Sequence, residues 1–202
     1  MTKARTLADF DSSGVLTSTS SLDATKLTGN LPALNGGSLT GLTTGAITEA
    51  DQWRVVADFT NNRTTIGSDA TSALERVDTG GFTQIGTGMT NTNGVFSFPS
   101  TGMYLIQFEA FIHANAVAAT GLMSIKASFN AGSSYSTMNH KEVYVSTGNK
   151  VAASIQCLFN VTSSANNRCS FAMEQLASAS IVKGNSDVQE TGMTFIRLGD
   201  ST

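Results

Sequence analysis

Charge is scarce in this chain: Asp, Glu, Lys and Arg make up 13% of its 202 residues, twelve basic against fifteen acidic, for a net charge of -3. Neither sign gathers into a run, so the sequence carries no electrostatic footprint for a nucleic-acid partner. Proline, cysteine and histidine occur only twice each. Two cysteines cannot make a disulfide framework, and the composition excludes collagen-like and charge-driven disordered chains. No apolar run approaches the ~18 residues that span a bilayer, so membrane insertion is not predicted. Asp9 and Asp11 fall where a secretory signal carries its apolar centre, and no signal peptide is predicted. Cys157 and Cys169 therefore read as reduced thiols, and the Asn62 and Asn160 sequons as chance. What remains is 40% hydrophobic, enough for one sizeable core with an appendage.

The appendage is residues 1–50. Gly, Ser and Thr account for 6, 6 and 10 of these positions, and Phe10 is the one aromatic. Such a stretch buries little by itself. Its apolar residues are nonetheless spaced: Leu22, Leu27, Leu31, Leu34, Leu39, Leu42 and Ile47, with Leu-Thr-Gly at 27–29 and again at 39–41. This spacing matches neither a helical stripe nor a strand alternation. Two readings remain: a flexible Ser/Thr/Gly linker, or an extended attachment segment that turns a Leu inward every few residues against other chains.

From Asp51 to Thr202 short apolar runs alternate with turn signals at residues 78–81, 91–94, 100–102, 130–134, 146–149, 163–167 and 183–186. Many short strands at this spacing predict an all-β, antiparallel sandwich or barrel with little helix. The clearest strand is Met103 to His113. Its even positions, Tyr104, Ile106, Phe108, Ala110 and Ile112, are all apolar and should face the core, since successive side chains alternate sides. The odd positions mix Leu105 and Phe111 with Gln107 and Glu109. A wholly solvated face rarely carries that much apolar area; a face meeting another subunit, or one covered by a local loop, does.

A second alternating run, Val151 to Val161, is followed after residues 163–167 by Cys169, Phe171 and Met173. This pattern predicts a hairpin that sets Cys157 nearly opposite Cys169, either as a redox pair or as two small buried hydrophobes. The run from Met193 to Leu198 predicts a terminal strand lying inside a sheet.

The segment Gly94-Val-Phe-Ser-Phe-Pro-Ser-Thr-Gly-Met-Tyr-Leu-Ile-Gln-Phe108 resembles the globular heads of complement and tumour-necrosis-factor-like proteins. It has the Gly, aromatic, Pro, two residues, Gly, any residue, Tyr pattern, and Thr191 to Leu198 looks like that family's closing strand. The resemblance spans residues 53–200 and implies a ten-stranded jelly roll assembled as a homotrimer, with Leu105 and Gln107 near the three-fold axis. The family often has an aromatic where Gln107 stands, which implies axis packing through an amide network or waters here. The segment from Leu22 to Leu42 resembles linker and shaft repeats of tailed-bacteriophage fibre proteins, notably those of cyanophages. Together these imply a structural virion protein, a short fibre or capsid or tail appendage, attached to other virion proteins through residues 1–50.

Chemistry for catalysis is thin. His113 and His140 are not in metal-ligand spacing, Gly86-Thr-Gly88 lacks the third glycine of a dinucleotide loop, and no Gly-x-Ser-x-Gly elbow occurs. No enzyme activity, metal or cofactor is predicted. Tyr135, Asn139, His140 and Tyr144 cluster in sequence and suggest an alternative, a recognition module for a host-surface glycan or protein.

Overall fold

The structure is a computed structural model and describes residues 47–177 and 180–201. The attachment-segment leucines, Leu22 to Leu42, lie outside the described residues. Those described contain eleven strands and no α-helix: β1 (Ala50–Val55), β2 (Leu74–Arg76), β3 (Thr90–Thr92), β4 (Val95–Ser97), β5 (Gly102–Ala114), β6 (Ala119–Ser128), β7 (Ser136–Val145), β8 (Lys150–Val161), β9 (Arg168–Glu174), β10 (Ser180–Val182) and β11 (Gly192–Gly199).

They form two antiparallel sheets. One runs β8, β5, β11, β1, β2, with β10 pairing the far end of β5; the other runs β3, β4, β9, β6, β7. Phe96, Phe108, Phe171 and Phe195, each at most 1% exposed, meet between the sheets in edge-to-face and tilted contacts 5.0–5.8 Å apart. The predicted alternation of β5 holds along its length. Tyr104, Ile106, Phe108, Ala110 and Ile112 are buried, and every odd position from Met103 to His113 is half-exposed. The all-β sandwich is thus a jelly roll, with eleven strands rather than ten.

Local chemistry explains two of the corners. Asn93 and Gly94 join β3 to β4 with φ of 51° and 79°, the two-residue turn that requires a left-handed backbone at both positions. A Cβ on Gly94 would also lie 2.1 Å from the Ile66 carbonyl oxygen. At the start of β5, Gly102 (φ 150°) leaves room for the Arg197 side chain. Two residues on, the Tyr104 hydroxyl donates to the Ser100 carbonyl at 3.1 Å, tying the turn to the strand.

The predicted β8–β9 hairpin does not form. β8 pairs with β5 and β9 with β6 and β4, so residues 162–167 cross from one sheet to the other. A hairpin and a crossover of this length leave the same alternating pattern in sequence, and only the partner strands distinguish them. Cys157 and Cys169 consequently come from opposite sheets, both as free thiols. Burial raises the Cys157 thiol to about 11 and raises Cys169 well above its ordinary value, with a contribution from Cys157 itself. β11 lies between β5 and β1, as a terminal strand inside a sheet.

Candidate subunit interface

The outward face of the β8–β5–β11–β1 sheet is built from the strand register. Side chains opposite one another on neighbouring strands share a face about 5 Å apart, and the next row lies two residues along, about 7 Å away. One row is Ala50, Ile196, Leu105 and Leu158. The next is Gln52, Thr194, Gln107 and Gln156. Eight side chains across four strands therefore include no formal charge.

In the apolar row Leu158 is 59% exposed and Leu105 and Ile196 are half-exposed. Beyond Ala50, the backbone of Ile85 pairs with that strand by two hydrogen bonds of 2.8 and 3.1 Å, adding Ile85 at 47% exposure. An open groove of about 220 Å³ lies there, lined by Gln52, Thr83, Ile85, Thr194 and Ile196 among others.

The amide row differs in its hydrogen bonding. Gln52 Nε2 reaches Thr194 Oγ1 at 3.4 Å, whereas the side-chain amides of Gln107 and Gln156 have no partner among the described residues. Both border a recess of about 350 Å³ shared with Asn139, Ser154 and Ile155.

Formal charge returns in the third row, where Glu109 stands between Gly192 and Ser154. Arg54, opposite Gly192 on its other side, is only 1% exposed. Its guanidinium is held by Glu75 at 2.7 Å, Asp78 at 2.9 Å and Thr79 at 2.9 Å. On the inward side of the same strand Asp51 accepts from Arg76, the Trp53 indole and the Met89 amide. These paired charges fasten β1 to β2 and the loop after it, and none is left free to face a ligand. Phe111 lies further along, opposite Ala152 and with Lys150 Nζ 6.0 Å above its ring. Leu105, Gln107, Glu109 and Phe111 therefore share one face, joined by Gln52, Gln156, Leu158, Thr194 and Ile196. The alternation in the β8 sequence marks Gln156 and Leu158 as one set, but not the strand beside which that set lies.

The four candidate ligand-binding residues do not converge. Tyr135 precedes β7 and Tyr144 sits near its far end, nine residues and about 30 Å apart. Tyr144 (66% exposed) and His140 point outward from the sheet. Asn139 faces the other way and donates through Nδ2 to the Gln156 carbonyl at 2.8 Å, closing the open side of edge strand β8. His113 is on the outward face of β5, opposite Lys150 and Ile181. Among the described residues no three or more His, Cys, Asp and Glu side chains are grouped to hold a metal ion, and no helix is long and apolar enough to cross a membrane.

No family model matches this chain. No curated protein matches it either. Among solved structures it is similar to the Eiger TNF of S. frugiperda, at 9% identity and a TM-score of 0.56, over 78% of this chain and 96% of that one. It also aligns with murine APRIL at 11% identity and a TM-score of 0.49, over 74% of this chain and 98% of that one. The described head thus has the jelly-roll fold of tumour-necrosis-factor-like proteins.

Proposed function

We propose that this protein is a structural virion component, the homotrimeric head of a short fibre or appendage of a tailed bacteriophage, attached to the particle through residues 1–50. The observation that carries the trimer is the uncharged two-row block on the β8–β5–β11–β1 face. In a ring of copies every side chain at the axis meets its own equivalents, so a residue there must be apolar or able both to donate and to accept a hydrogen bond. Leu105, Gln107, Thr194 and Ile196 all qualify, while Glu109 lies outside the block. The virion assignment is supported by the resemblance of Leu22 to Leu42 to phage shaft repeats. Shared burial would couple folding to assembly and give a stable projection.

The alternative reading, recognition of a host-surface glycan or protein, has less to rest on, because Tyr135 precedes edge strand β7, and Asn139 points to the other side of that strand from His140 and Tyr144.

The test is made on particles of the phage that encodes the chain. Antibody against the head labels intact virions, and a chain lacking residues 1–50 is made but absent from them. Full-length protein that accumulates in infected cells and never enters particles contradicts the assignment.

A further inference from the structure

We infer that the far end of the outward face of β5, around Phe111, His113 and Lys150, binds one acidic sugar unit of a glycan. The inference goes beyond the virion reading and does not depend on the trimer. It also moves recognition away from β7, where the four candidate residues do not converge. Past Gln107 the outward side chains of β5 are Glu109, Phe111 and His113, in rows about 7 Å apart and outside the uncharged block. β1 enters the sheet level with Leu105, so His113, eight residues further along, stands about 27 Å from that entry. Lys150 is directly opposite His113 on β8. Phe111 is half-exposed, and its neighbour across the strand pair is Ala152, too small to cover the ring.

Lys150 is distinct among the cations. Of the nine described lysines and arginines, six are ion-paired and Arg168 is bonded to three loop carbonyls. Lys141 and Lys150 have no carboxylate partner among the described residues, and only Lys150 lies beside an imidazole and an aromatic ring, its Nζ 6.0 Å from the Phe111 centroid. A cation at that distance is held weakly by the ring and turns to a carboxylate that offers a full charge. Asp58, within electrostatic reach of His113, is already ion-paired with Lys183 and accepts the Gly184 amide at 3.0 Å. Glu109 is two rows from Lys150, on the other side of Phe111.

The order along the face is therefore acceptor, aromatic ring, cations. Glu109 accepts hydrogen bonds from hydroxyls, the Phe111 ring takes the C–H face of a pyranose, and Lys150 with His113 takes a carboxylate. A chain that is acidic at every unit is repelled by Glu109, and a peptide carboxylate brings no rigid apolar face to the ring. A uronic acid next to a neutral sugar satisfies all three positions over the roughly 14 Å they span.

The experiment follows the imidazole NMR signals of the full-length protein, in which His113 and His140 are the only histidines. Cellobiouronic acid is the probe, cellobiose is the same disaccharide without the carboxylate, and Gly-Glu-Gly is the acidic peptide. The expected result is a saturable shift of His113 with cellobiouronic acid, a stationary His140, and no shift with cellobiose or the peptide. Lys150→Gln and Phe111→Ala should each raise the dissociation constant at least about tenfold, and Lys141→Gln should leave it unchanged. No shift at tens of millimolar probe, equal shifts with cellobiose or the peptide, movement of both histidines, or a Lys141→Gln loss matching that of Lys150→Gln overturns the inference. None of these outcomes touches the trimer or virion readings, which native mass and particle labelling decide.

Discussion

Leu105→Asp separates assembly from folding. Leu105 points away from the core, between Ile196 and Leu158 in the apolar row, so a carboxylate there leaves Tyr104 and Ile106 packed as before. In the proposed trimer the variant loses the part of the leucine surface that the protomer leaves open. Full burial of such a side chain is worth roughly 1.5–3 kcal/mol, so the half-exposed Leu105 contributes about 1 kcal/mol per copy and about 3 kcal/mol per trimer. Three carboxylates moved towards a common axis cost several kcal/mol each unless they protonate. Together these lower the trimer formation constant by more than about 10⁴-fold. Sedimentation velocity over a dilution series, with circular dichroism on the same samples, should show a folded monomer. Val117→Asp is the control, since Val117 is 49% exposed in the loop between β5 and β6, away from this face, and should leave the mass unchanged. A Leu105→Asp protein that remains trimeric, or a Val117→Asp protein that falls apart equally, refutes the reasoning.

Two further predictions concern the protomer. Phe96→Ala removes the ring that touches Trp53, Phe171 and Phe195 at 5.0–5.6 Å and should destabilise the fold by about 3–5 kcal/mol in denaturant titrations; a loss below 1 kcal/mol would place the centre of the core elsewhere. The buried Cys169 thiol should resist alkylation by iodoacetamide at pH 8 in the native protein and react fully in denaturant, and the half-buried Cys157 should react slowly in the native protein. Because folding raises Cys157 from 9.0 to about 11, the unfolded chain loses its thiol proton first. That contribution to stability is therefore complete below pH 9 and is lost as pH climbs towards 11. Rapid native labelling of Cys169 at pH 8 would contradict its place in the core.

Much of the protomer was legible in the sequence because β5 is long enough for alternation to separate its faces without ambiguity. The turn signals were equally direct, since Asn93-Gly94 can adopt few other conformations. Strand partnership was not legible. Val151 to Val161 reads the same whether it folds back on β9 or crosses to lie beside β5, and the choice is made by contacts with residues 102–112, far away in sequence. That ambiguity concealed Gln156 and Leu158 as part of the proposed interface, since they join Gln107 and Leu105 only once β8 is placed. Tyr135 to Tyr144 misled for a related reason: proximity in sequence along an extended strand is separation in space.

The central claim is that the uncharged face centred on Leu105 and Gln107 is covered by two further copies of the chain. The most direct test is the native mass of the full-length protein followed on dilution through the micromolar range. A single species at three times the 21.0 kDa chain mass is the predicted result. A compact, soluble 21.0 kDa monomer at every concentration would contradict it.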